Sequence, residues 1–308
     1  MSLPGKWVLP LFLLTILVGA MILGPLIYFA LEAVWPIPFH RAMDRGLLIS
    51  AVAALGLFGP RVPLRELWPW EHRTWMDLLL GTFIAAVSIQ AMLGFNLALA
   101  GFTSAHLSAG QAWGRVLLAL VAAVIAPPLE ETVFRGFIQR ELIAGLGVRA
   151  GLVIGALTYT LAHFLKIPVE LDHEPVHLWS GATALGAAFT HFGQDLLQPQ
   201  NLGKEANLLL IGLILGGIYL RSGALWVGAA LHSGWIFGLL LFTGFTRPVV
   251  PPYQPGFGGD ILSSLSTTMV LLLLGVWIWL FYRHPSIKPE VPGDDAPGTM
   301  PGAGPTAP

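Results

Sequence analysis

Residues 7–33, "WVLPLFLLTILVGAMILGPLIYFALEA", hold one charged side chain, Glu32, over more than the length a helix needs to cross a lipid hydrocarbon core. In that medium every backbone N–H and C=O must be satisfied within the chain, which about 20 mainly apolar residues in a helix achieve. The run is longer than the apolar stretch of a secretory signal, about 7 to 15 residues, and reads as a retained span. The same criterion finds further spans near 45–60, 76–101, 113–129, 149–165, 206–220, 224–243 and 262–282. Composition agrees. The chain is 55% hydrophobic and 11% charged, against about 25% charged in soluble domains, and its mean hydropathy is +0.72. The expected fold is all-α, a polytopic membrane helix bundle of about eight transmembrane helices. Residues 176–192, "VHLWSGATALGAAFTHF", carry two histidines and three hydroxyls and are expected to be re-entrant or interfacial.

Eight spans with both termini inside put Lys6, Arg61, Arg65, Arg73, Arg140, Arg149, Arg221, Arg283 and Lys288 on the inner side, as the positive-inside bias favours. The expected setting is the inner (cytoplasmic) membrane of a bacterium. Trp35, Trp68, Trp70, Trp75, Trp113, Trp179 and Trp226 fall near span ends, where amphipathic rings anchor at the headgroups. Residues 285–308, rich in Pro, Gly and Ala, read as a disordered tail. A formal net charge of -1 without a Lys/Arg-rich run gives no nucleic-acid signal. With Cys 0 there is no disulfide, thiolate metal site or cysteine nucleophile.

An ionisable group at membrane depth costs roughly 2.5 to 3.5 kcal/mol on insertion scales, so each one is a functional candidate. Those groups are few: Glu130, Glu131 and Arg135 in "APPLEETVFRG", His163 in "LTYTLAHF" and His232 in "GAALHSGWIF". Pro127 and Pro128 lack N–H donors and are expected to break or kink the fourth span, leaving both glutamates in the first turn of a new helical segment where the helix dipole favours carboxylates. Arg135, four residues after Glu131, shares its face and can neutralise it. Glu130 points about 100 degrees away and lacks that partner, as a general base should. A structural ion-pair cluster explains the first stretch alone nearly as well; two histidines in separate spans shift the balance toward a site.

The order "EETVFRG", then "YTLAHF", then "GGIYLRSGALWVGAALHSGW" resembles the CPBP (CAAX protease and bacteriocin-processing, Rce1-like) family of intramembrane proteases. Its pattern is Glu-Glu-x-x-x-Arg, then Phe-x-x-x-His, then His-x-x-x-Asn or Asp. Glu130, Glu131, Arg135 and Gly136 match the first motif; His163 matches the second, with Tyr159 in place of Phe; His232 matches the third, with Ile236 in place of Asn or Asp. The resemblance spans about 113–240. It divides the chain into amino-terminal helices 1–112, a CPBP-like catalytic core 113–243 with an insertion at 166–205, and a last loop and helix 244–284 before the tail.

What the resemblance implies is an intramembrane endopeptidase acting on a membrane protein or lipidated peptide within the bilayer. The reading of the residues makes Glu130 the base, with His163 sharing the proton, His232 a candidate oxyanion donor, and Glu131 and Arg135 a supporting pair. Ser233 is one candidate for the polar group missing at 236. The cofactor is open: none is preferred, and zinc on Glu130, His163 and His232 is the alternative, although no His-Glu-x-x-His spacing is present. Two rivals remain. Ile236 favours a catalytically silent self-immunity or scaffold protein that binds a peptide, and intramembrane Glu and His residues also occur in proton transporters, whose inverted repeats are not seen in this sequence. His173, His177, His191, Gln194 and Asp195 in the insertion are read first as tolerated loop residues and second as a substrate entry.

Overall fold

The computed structural model describes residues 5–32, 34, 36–59, 64–100, 102–248 and 260–282. The expected disordered tail, the positions of Trp35, Arg61, Arg283 and Lys288, and the side chain of Lys6 lie outside the described residues. The chain is an all-α polytopic bundle. Its helices are α1 Gly5–Glu32, α2 Phe39–Phe58, the single turn α3 Leu64–Leu67, α4 Thr74–Ala100, α5 Ala109–Glu131, α6 Arg140–Leu146, α7 Val148–Phe164, α8 Ser180–Leu196, α9 Leu202–Ser222, α10 Trp226–Phe245 and α11 Leu265–Phe281. A π-helical segment, Thr132–Gln139, joins α5 to α6. The strands among the described residues are β1 Phe102–Ser104 and β2 Thr246–Pro248, a short antiparallel ribbon linking the start of α5 to the end of α10.

Each of the eight expected spans is a helix: α1, α2, α4, α5, α7, α9, α10 and α11. Among the described residues, six segments are long and apolar enough to cross a membrane: Trp7–Glu32, Thr74–Ala98, Ala109–Leu146, Val148–His173, Pro199–Ser222 and Trp226–Phe245. The exceptions have local causes. α2 begins with Arg41, Asp44 and Arg45, and α11 has 17 residues. The doubtful stretch 176–192 is largely α8, whose Gly181 sits against the backbone of Met21 in the middle of α1. Ala184, Leu185 and Ala188 of α8 close a core with Phe39, Met43 and Ile167. The insertion is therefore structured, and His40 at the head of α2 is clasped to it: Asp172 accepts from its backbone N–H at 2.9 Å and lies 2.6 Å from its Nδ1.

Close helix contact in lipid rests on small residues, because hydrocarbon tails leave little hydrophobic drive between helices. On α4 and α10 they alternate. A Cβ at Gly81 would stand 2.5 Å from the Val227 carbonyl and 2.7 Å from the Ala230 methyl, and Gly234 and Gly238 meet Ala85 and Ile89 one and two turns further on. This parallel seam presses α10 against α4 and leaves its other face, with Gly228 and His232, to α5. α9 meets α10 through a sharp turn at Gly223, whose φ of 70° suits glycine. Trp68, Trp70 and Trp226 cluster at that end of the bundle, with ring centroids 4.7 and 5.4 Å apart.

Candidate active site

The prolines do not divide the fourth span. α5 runs through Pro127 and Pro128 to Glu131, so both glutamates occupy its last turn and not the first turn of a new segment. The helix resumes directly after the prolines: the Thr132 N–H reaches the carbonyls of Leu129 and Pro128, and its hydroxyl donates to the Pro128 carbonyl at 2.8 Å. The backbone then widens into the π-helical segment. Such geometry needs tertiary support, and seven of its eight residues are buried. Phe137 stacks on Phe12 of α1 at 4.2 Å, Gly136 abuts Leu67, and Gln139 donates to the Gly216 carbonyl of α9 at 3.3 Å.

All five candidate residues meet in one cluster. Glu131 and Arg135 form the expected pair, with Arg135 Nε 3.3 Å from Glu131 Oε2, and both are almost wholly buried. The other oxygen of Glu131 lies 3.0 Å from Nδ1 of His232. A carboxylate neutralised by arginine only accepts, so Nδ1 donates and the lone pair of the neutral ring falls on Nε2. Likewise His163 Nδ1 donates to the Tyr159 carbonyl at 2.8 Å, one turn back on α7, which leaves its Nε2 as acceptor. Both Nε2 atoms face Glu130, whose Oε2 is 3.9 Å from His163 and 3.8 Å from His232. That oxygen is buried without a hydrogen-bond partner in the protein, although about 30% of the Glu130 side chain is exposed. Gly228 faces the pair across a narrow gap: a Cβ there would sit 3.6 Å from Glu131 Oε2, an ordinary contact.

Glu130, His163 and His232 are the set a zinc ion would take. Two ligands about 2.1 Å from a tetrahedral zinc stand about 3.4 Å apart. The separations of 3.8 and 3.9 Å are wider, and no three His, Asp or Glu among the described residues are grouped to hold a metal ion. As arranged, the three do not fit the ion. A water about 2.8 Å from each of two partners bridges such a gap readily.

Sequence reasoning treated Tyr159 only as a replacement for Phe. In the fold its hydroxyl lies 3.5 Å from His232 Nε2, and Arg135 rests 4.5 Å above its ring. The hydroxyl alone signalled this, since Phe to Tyr adds one polar atom to a buried position. Ile236 borders an apolar cavity of about 80 Å³ beside the histidines, and Ser233 is half-buried on α10. His173, His177 and His191 of the insertion are exposed.

Residues 111–238 match the family model described as type II CAAX prenyl endopeptidase Rce1-like. That is the family the ordered motifs resemble, and it is a protease family whose substrates are membrane-associated prenylated peptides in general. No curated protein and no solved structure matches the chain.

Proposed function

We propose that the chain is an intramembrane endopeptidase of the CPBP and CAAX-protease type, cleaving a peptide bond in a membrane-associated or lipid-anchored protein, with residues 113–243 as its catalytic core. The observation that most supports this reading is the position of Glu130 Oε2 between the Nε2 lone pairs of His163 and His232. Glu130 takes a proton from a water, and the hydroxide adds to the carbonyl carbon. As the C–N bond breaks, the proton passes from Glu130 to the leaving nitrogen, with His163 sharing it on the way. Glu131 and Arg135 fix His232 in one tautomer. No step requires a metal. The setting is a bacterial inner membrane with both termini inside.

The test uses the purified full chain in detergent and a fluorogenic peptide ending in a farnesylated Cys-aliphatic-aliphatic-X sequence. Wild type should cleave it, and Glu130→Gln should lower kcat by about 10²- to 10⁴-fold while leaving the thermal unfolding temperature unchanged. A chelator should leave the rate intact; loss on chelation with recovery on adding zinc would overturn the metal-free route. Ile236 favours a second reading, a silent peptide-binding protein. It predicts that Glu130→Gln binds the same peptide and behaves as wild type in every assay.

A further inference from the structure

Peptide hydrolysis requires a donor aimed at the carbonyl oxygen as negative charge develops on it. The cavity beside the cluster shows which groups can serve. Its lining side chains that carry an N–H or O–H are Tyr159, His163, His232, Trp235 and Thr267, and Trp235 spends its N–H on the Ser88 hydroxyl at 2.8 Å. His163 spends its N–H on the Tyr159 carbonyl and His232 spends its own on Glu131. The Thr267 hydroxyl accepts from Ser264 at 3.0 Å and keeps its own proton, but it belongs to the network that ties α11 to Asn96 of α4, and no hydrogen bond among the described residues joins it to the cluster. Ile236 offers only hydrocarbon. The phenol of Tyr159 is the lining donor that lies against the histidines themselves. It points at the site, 3.5 Å from the acceptor nitrogen of His232, and a phenol keeps its proton at neutral pH. Its ring is clamped: Arg135 lies over it at 4.5 Å, Phe134 meets it edge-on at 5.1 Å, His163 packs at 4.2 Å, and 2% of the residue is exposed. Only the hydroxyl rotor is free to turn.

We propose that the Tyr159 hydroxyl is the oxyanion donor of this site. It supplies from α7 the polar group that the family pattern places on α10 at position 236. Both departures from that pattern, Tyr for Phe and Ile for Asn or Asp, line the same cavity, so one compensates the other. The proposal rests on the hydrolase reading above. At rest the hydroxyl donates to His232 Nε2. When the hydroxide adds, the C=O electron pair moves onto oxygen, and the hydroxyl turns to donate to it. On collapse the C=O bond re-forms, the C–N bond breaks, the nitrogen takes the proton held by Glu130, and Tyr159 keeps its own throughout.

The test compares wild type, Glu130→Gln, Tyr159→Phe and the double variant Tyr159→Phe with Ile236→Asn on the same farnesylated peptide. Tyr159→Phe removes one oxygen and should lower kcat by about 10²- to 10³-fold with KM unchanged, since the interaction exists only in the transition state. Adding Ile236→Asn should restore about tenfold or more of the lost rate. Tyr159→Phe at the wild-type kcat, with Glu130→Gln inactive, overturns this proposal and leaves the hydrolase standing. A rise in KM alone, or a double variant no faster than Tyr159→Phe, also overturns it. Glu130→Gln at the wild-type rate removes the hydrolase reading and this proposal together.

Discussion

Glu131 and Arg135 are among the most deeply buried charges in the bundle, and their geometry is half complete. Arg135 meets Glu131 through Nε, while Nη1 and Nη2 are buried without hydrogen-bond partners in the protein. The Tyr159 ring beneath the guanidinium offsets part of that cost through its π face. Removing one member of a buried pair strands the other and costs about 3–5 kcal/mol. Arg135→Met should therefore lower the unfolding free energy by about that amount, read from equilibrium unfolding in detergent; a change near zero would show that Glu131 finds relief elsewhere. This pair was legible in the sequence because the contact is local, four residues along one helix face. The Tyr159 hydroxyl was not. Its partner His232 is 73 positions away, and only packing brings them together.

Helix partnership is set by where backbone can approach backbone. Gly228 is the point at which α10 yields to the buried carboxylate of α5, and the clearance is about one methyl group: a Cβ there would be 3.6 Å from Glu131 Oε2, ordinary van der Waals contact. Gly228→Ala should keep near-wild-type activity. Gly228→Leu should displace Glu131 and with it His232, lowering kcat by about 10²-fold, as misplacements of about 1 Å do; the measurement is peptide cleavage alongside unfolding temperature. On the opposite face, Gly81→Leu should pry α4 from α10 and destabilise by about 1–3 kcal/mol through overpacking, visible in the same unfolding curves. Hydropathy located these helices but not their seams. The proline pair misled at this scale for a physical reason: two missing N–H groups forfeit only the bonds to the Ala123 and Val124 carbonyls, and the helix resumes at once, with the Thr132 N–H and hydroxyl both on the Pro128 carbonyl.

For the whole chain, hydropathy placed all eight expected spans on helices, since satisfying the backbone in lipid leaves few alternatives. It was least informative for α8, whose Gly, Ala and Thr content suits a helix buried against α1 and α2 more than one facing lipid. Orientation rests on the asymmetry of basic residues, and the absence of cysteine in the chain makes it directly measurable. A single cysteine replacing Arg149 should react with a membrane-impermeant thiol reagent only from the inner side, and one replacing Glu174 only from the outer. The reverse pattern would invert the topology.

The π-helical segment works as a phase shifter. A π turn holds one more residue between bonded partners than an α turn, so it delays the rotation of side chains around the axis. Just before it Glu131 presents to α10, within it Arg135 presents to the ring of Tyr159 on α7, and at its end Gln139 presents to α9. A uniform α pitch could not serve these directions at once. The count of residues between Glu131 and Gln139 thus matters more than most of their identities. Deleting one would wind the segment back to α pitch, pull Gln139 from α9 and swing α6 off Gly151 of α7, whereas conservative apolar exchanges within it would leave the phase intact.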